Sequence, residues 1–169
     1  MSPTVPDPEL DAVTSAFLSA GARFVVIGGF AVIAHRYVRA TEDVDLLIPA
    51  DDDNDRRCGA ALVALNAVWT LDGRALDPPA LTGRAHSRLL TSRGLVDLLR
   101  EGEAPLDYAT VAAGAERADL GDGTFLIAGL RSLVSFKRLA DRPRDRLDLE
   151  ELRALHGGLP MESLPGLDA

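Results

Sequence analysis

Short blocks of apolar residues recur along the chain, and their spacing predicts alternating helices and strands. After three prolines in the first eight residues, a helix is expected from about Pro8 to Ala20, stopped by Gly21. Phe24 to Ile27 is a run of aromatic and β-branched residues typical of a buried strand, and Gly28-Gly29 breaks it. The pattern turns helical from Phe30 to Tyr37. From Asp43 to Ile48, Val44, Leu46 and Ile48 alternate with Asp43 and Asp45, which reads as a strand with one acidic edge.

Pro49 ends that strand, and Asp51 to Asp53 offer N-caps for an Ala- and Leu-rich helix through Ala67. Residues 69–86 have no clear period and are expected to be a strand fragment and a long loop. Ser87–Ser92 and Leu95–Leu99 flank Arg93-Gly94 and predict a β-hairpin. A helical stretch from Tyr108 to Ala115 follows. Arg117–Leu120 and Thr124–Ala128, around Gly121-Asp122-Gly123, predict a second hairpin. Two helices, Leu130–Ala140 and Pro143–Leu155, close the chain, with Pro143 at a permitted first-turn position and Gly157-Gly158 as the stop. This pattern predicts one domain over residues 1–169, with 1–8 and 158–169 as loose tails.

Composition narrows the class. Hydrophobic residues make up 47% and charged residues 26% of the chain, ordinary values for a globular protein. No apolar run reaches the roughly 20 residues of a transmembrane helix, and the N-terminus lacks the pattern of a signal peptide, so no membrane partner is expected and the reading is cytoplasmic. The single cysteine, Cys58, falls in a helix and is assigned no role. His35, His86 and His156 lack zinc spacing, and at most His35 is expected near a pocket.

A net charge of −8 argues against a generally basic, nucleic-acid-gripping surface. Locally the balance reverses: Arg131, Lys137, Arg138, Arg142, Arg144 and Arg146 face only two acids in the same stretch. Lys137 is the one lysine among eighteen basic residues, and a compact ammonium suits a phosphate. Asp145 and Asp148, three apart on the last helix, share a face from which they could orient Lys137 or an arginine, or make surface ion pairs.

The candidate chemistry lies in the acids. Asp43 and Asp45, two apart on a strand, put both carboxylates on one face, about 6 to 7 Å apart. Alone, such a pair is most often the wet side of an edge strand. It follows a glycine pair, however, and glycines let the backbone approach a phosphate closely. Asp97 is a third acid inside an otherwise apolar strand, Leu95-Val96-Asp97-Leu98-Leu99. If that strand pairs antiparallel with Asp43–Ile48, three carboxylates converge on a site suited to Mg²⁺. The competing reading for Asp97 is a salt bridge to Arg93 or Arg100.

The order Gly28-Gly29-Phe30-Ala31, Arg39-x-Thr41-x-Asp43-x-Asp45, Val96-Asp97-Leu98-Leu99, Leu133–Lys137 and Arg142-Pro143-Arg144-Asp145 resembles the DNA polymerase β-like nucleotidyltransferase superfamily, in particular its minimal AbiEii-type toxin branch. The resemblance implies an α/β (α+β) nucleotidyltransferase fold: a mixed β-sheet flanked by helices, with C-terminal helices. It implies Asp43, Asp45 and Asp97 as catalytic residues and ligands of two Mg²⁺ ions, with Mn²⁺ as the alternative. It also implies Gly28, Gly29, Arg39, Thr41, Lys137 and Asp145 around an NTP donor, with Gly28 and Gly29 at the β- and γ-phosphates and Lys137 at the triphosphate. The acceptor would be an RNA end, a protein side chain or a small molecule such as an aminoglycoside. A cognate antitoxin or partner protein belongs to the same picture, and a weakly catalytic nucleotide-binding component of a toxin–antitoxin pair is the alternative. Phe30 stands where the wider superfamily commonly has serine, which removes one hydroxyl from the cradle.

Overall fold

The computed structural model describes residues 4–121 and 123–168; Asp122, at the tip of the second expected hairpin, lies outside them. The elements, in chain order, are α1 (Leu10–Ser19), β1 (Val25–Ile27), α2 (Gly28–Ala34), β2 (Asp43–Ile48), α3 (Asp52–Ala64), β3 (Val68–Trp69), a 3₁₀ turn (Pro78–Leu81), β4 (His86–Thr91), β5 (Gly94–Arg100), α4 (Tyr108–Ala113), β6 (Glu116–Asp119), β7 (Thr124–Ile127), α5 (Leu130–Ala140) and α6 (Pro143–His156). The strands form one mixed sheet in the order β3-β4-β5-β2-β1-β7-β6. No helix among the described residues is long and apolar enough to cross a membrane.

Local chemistry explains the boundaries. Asp51 caps α3, its carboxylate accepting from the backbone N–H groups of Asp53 (2.8 Å) and Asn54 (3.2 Å). Asp107 caps α4 in the same way through Thr110 N–H. Within the stretch that lacked a period, Pro78-Pro79 opens the 3₁₀ turn and Val68–Trp69 pairs with β4. The core is continuous across the sheet: Val25, Val26, Val44, Leu46, Leu47, Val96 and Leu98 are all buried, and Phe17 meets Phe24 edge-on at 5.6 Å.

Two expectations are corrected. β5 pairs with β2 in parallel, not antiparallel. α3 carries the chain back so that β3 starts in the direction of β2, and the two reversals β3–β4 and β4–β5 restore that direction in β5. The C-terminal segment, expected to be loose, packs back: Leu164 is buried, Arg138 donates to the Glu162 carbonyl (2.8 Å) and to Asp168 (2.7 Å), and Arg131 pairs with Glu162. Near the other end, the Glu9 N–H donates to the Arg93 carbonyl at 3.0 Å.

Cys58 is buried in α3, and burial pushes its thiol up to about 12, so it is inert. His35 is buried as well, its Nε2 lying 2.8 Å from the Ala128 carbonyl, and the His156 ring contacts the His35 carbonyl. His35 ties the end of α2 to the chain just after β7, and His156 ties the end of α6 to the end of α2.

Candidate active site

The parallel register of β2 and β5 sets Asp45 directly beside Asp97, with Asp43 beside Leu95. Register partners on adjacent strands project to the same face of a sheet, and Asp43 shares that face with Asp45 by the two-residue period. Asp43, Asp45 and Asp97 therefore converge, and each offers an oxygen within 4.8 Å of the others. The third acid stands on the same side as the first two. Parallel pairing achieves the convergence expected of antiparallel pairing.

Gly28 forms the floor beside Asp45. It has φ = +67° at the junction of β1 and α2, a conformation that L side chains rarely adopt. A Cβ there would overlap the Asp45 carboxylate, and one on Gly29 would overlap the Thr41 hydroxyl. Both glycines are therefore required by close approach. Thr41 donates its hydroxyl to the Asp43 carbonyl (3.2 Å), fixing the entry to β2.

Crowding sets the electrostatics. Burial first, then the neighbouring charges of Asp43 and Asp97, push Asp45 up to about 7. Burial also raises Asp97, partly offset by Arg88 and by a hydrogen bond from His86. Arg88 Nη1 donates to Asp43 Oδ2 (3.1 Å) and to Asp97 Oδ2, and His86 Nε2 lies 2.8 Å from Asp97 Oδ1. Asp97 is thus paired, but with neither Arg93 nor Arg100: those pair with Glu9 and with Asp52 and Asp55.

Arg88 and His86 escaped the sequence reading. A signal for Arg88 existed: a two-residue link, Ser92-Arg93, joins Thr91 to Gly94, and counting back along the hairpin puts Arg88 opposite Asp97. His86 lies two residues further along the same face.

Behind the triad lies a second charged cluster. Lys137 Nζ is 2.9 Å from Asp145 Oδ1 and 2.8 Å from Asp148 Oδ2, and all three residues are buried. Arg39 grips Asp148 with two bonds of 2.7 and 2.8 Å. Asp145 accepts from the Arg142 N–H (3.1 Å), which caps α6, and from the Arg142 guanidinium (2.7 Å). These bonds to Arg142 and Lys137 outweigh burial and hold Asp145 below the usual carboxylate range. Asp145, expected around the nucleotide, thus has both oxygens committed within the protein.

The triad opens into a cleft of about 360 Å³ lined by Gly28, Gly29, Thr41, Arg88, Lys137 and Arg144, among others. A second compartment of about 340 Å³ shares Asp45, Asp97 and Lys137 but is walled by Leu99, Leu133 and Phe136. The basic stretch of Arg131 to Arg146 is not a free positive patch: Arg131, Lys137, Arg138, Arg142 and Arg146 all form ion pairs. Arg144 forms none among the described residues.

No protein-family model and no curated protein matches the chain. Solved structures do. The crystal structure of ANT(2")-Ia in complex with adenylyl-2"-tobramycin is 15% identical with a TM-score of 0.52, over 85% of this chain and 90% of that one. The solution structure of the antibiotic-resistance factor ANT(2")-Ia is 16% identical with a TM-score of 0.52, over 86% and 88%. The chain has a nucleotidyltransferase fold, the mixed sheet flanked by helices that the motif order implied.

Proposed function

We propose that this protein is a divalent-metal-dependent nucleotidyltransferase that moves a nucleoside monophosphate from an NTP to an acceptor hydroxyl, releasing pyrophosphate. The observation that carries the reading is the convergence of Asp43, Asp45 and Asp97 within 4.8 Å beside a glycine turn that no side chain could occupy. Three carboxylates so close are an all-oxygen donor set that fits Mg²⁺ or Mn²⁺. When bound, such ions supply positive charge to the attacking and leaving oxygens of an in-line displacement.

The side chains take complementary roles. Asp43, Asp45 and Asp97 hold the cations. In the transfer, a bond forms from the acceptor oxygen to the α-phosphorus while the bond to the pyrophosphate oxygen breaks and its electron pair leaves with pyrophosphate. Asp97, raised by burial, receives the hydroxyl proton, and His86, whose side chain is 56% exposed, stands between it and solvent. Gly28 and Gly29 admit the phosphates. Lys137 offers them the N–H not used by Asp145 and Asp148, so Asp145 acts on the nucleotide through Lys137. Arg39 and Thr41 shape the wall, and Arg144 adds a cation at the rim.

The same geometry bears on the acceptor. Neutralising most of the basic stretch removes the phosphate grip that an RNA would need. The apolar wall of Leu99, Leu133 and Phe136 beside these acids supports a hydroxyl carried on a small molecule or a protein side chain. Of the solved likenesses, one carries adenylyl-2"-tobramycin, a nucleotidylated small molecule. A toxin role of the AbiEii type, with a cognate antitoxin, is the form the proposal takes if the acceptor is a cellular macromolecule.

Incubating the protein with Mg²⁺, labelled ATP, CTP, GTP or UTP, total RNA and lysate should label one acceptor. Asp43→Asn with Asp45→Asn should lower that labelling on the order of 10³-fold. Equal labelling by the double variant, or none by the wild type with any nucleotide, would overturn the proposal.

A further inference from the structure

Arg88 lies where a bound cation would compete with it. Asp43 and Asp97 are not register partners, because Asp43 pairs with Leu95 and Asp45 with Asp97, so their carboxylates meet only diagonally across β2 and β5. One nitrogen, Arg88 Nη1, donates to both, to Asp43 Oδ2 at 3.1 Å and to Asp97 Oδ2. His86 takes the other oxygen of Asp97, while Asp45 has no ion pair among the described residues. The strand that supplies Arg88 is bound to β5 along its whole length, so the guanidinium is delivered by a rigid hairpin.

Three carboxylates within 4.8 Å repel one another strongly in a half-buried cleft, and that repulsion is relieved by a bound proton or by positive charge among them. A guanidinium carries one unit of that charge on a head group that can turn away, and the Arg88 side chain is 39% exposed on the cleft wall. We propose that Arg88 is a built-in counter-cation for the triad: it gathers Asp43 and Asp97 when no divalent ion is bound, competes with the ion for those carboxylates, and on displacement turns its charge to the phosphates in the cleft. This rests on the reading of the triad as a divalent-metal site. It makes ion affinity a property tuned by β4, a strand that contributes no ligand.

The test is Mn²⁺ binding, followed by electron paramagnetic resonance and calorimetry without nucleotide, so that activity is not the readout. Arg88→Gln keeps an N–H donor but removes the charge, and it should bind Mn²⁺ roughly tenfold more tightly than wild type. Its melting temperature in chelator should fall, and its rise on adding Mn²⁺ should exceed that of wild type. Arg88→Lys keeps the charge and should bind Mn²⁺ within about threefold of wild type. Unchanged or weaker Mn²⁺ binding by Arg88→Gln overturns the inference, as does a tenfold gain in Arg88→Lys. If Arg88→Gln does not fold in chelator, the Arg88 Nε–H resonance of the wild type followed through a Mg²⁺ titration decides: a shift that saturates with the ion supports displacement, and an unmoved resonance overturns it. Absence of Mn²⁺ binding in wild type and both variants removes the metal site itself, whereas binding by wild type without a gain in Arg88→Gln removes only the role of Arg88.

Discussion

Two clusters of aspartates sit side by side in this protein, and they are compensated in opposite ways. Asp145 and Asp148 are fully buried but are met by Lys137, Arg39 and Arg142, three cations for two carboxylates. Asp43, Asp45 and Asp97 are more accessible yet share one guanidinium and one imidazole. Burial raises both Asp145 and Asp45, but the bonds and charge of Arg142 and Lys137 bring Asp145 below the ordinary carboxylate range, whereas the neighbouring Asp43 and Asp97 push Asp45 further up. Saturated acids hold helices in place, here docking α5 and α6 against the loop before β2. Undersupplied acids retain a demand for positive charge, and that demand is what a ligand can meet.

Breaking the saturated cluster should cost the most stability. Asp148→Ala leaves Arg39 unpaired and Lys137 with one partner, so unfolding in urea should show a loss of about 3–5 kcal/mol. Relieving the undersupplied cluster should do the reverse. Asp43→Asn with Asp45→Asn removes like-charge repulsion, and in chelator its melting temperature should equal or exceed that of wild type while transfer is lost.

A smaller effect sharpens the contrast through pH. With its folded pKa raised to about 7, Asp45 binds more protons in the native than in the unfolded chain between the ordinary carboxylate range and neutrality. Its contribution to stability is therefore greatest at the acidic end of that window and is lost as pH rises through about 7. Asp145, depressed, contributes above the ordinary carboxylate range and loses its contribution only as pH falls through its lowered folded value. Melting in chelator from pH 5 to 8 should show stability falling with pH, and Asp45→Asn should flatten that slope.

Much of this arrangement was legible in the residues. The alternation of Val44, Leu46 and Ile48 with Asp43 and Asp45 marked β2 residue for residue, and one acid in an apolar strand marked Asp97. Pro143 and Gly157 bracketed the last helix. Other features have no local signature. The direction of β5 depends on the α3 crossover and on the two reversals that follow it, none of which is written in the strand itself, so antiparallel pairing is an equally natural expectation from the strand alone. The ion pairs of Arg131 with Glu162 and of Arg138 with Asp168 join residues 31 and 30 positions apart, so this part of the basic stretch looks free in the sequence although it is paired. Arg88 is within reach of hairpin counting, whereas His86, which lacks zinc spacing, serves a carboxylate and carries no spacing signal for that role.

The most direct test is a crystal structure with Mn²⁺ and a non-hydrolysable NTP, read by anomalous scattering at the manganese edge. A peak is expected about 2.0 to 2.3 Å from oxygens of Asp43, Asp45 and Asp97, with the phosphates against Gly28 and Gly29. A nucleotide bound elsewhere, or a triad still bridged by Arg88 with no manganese beside it, would contradict the reading of the triad as a metal site.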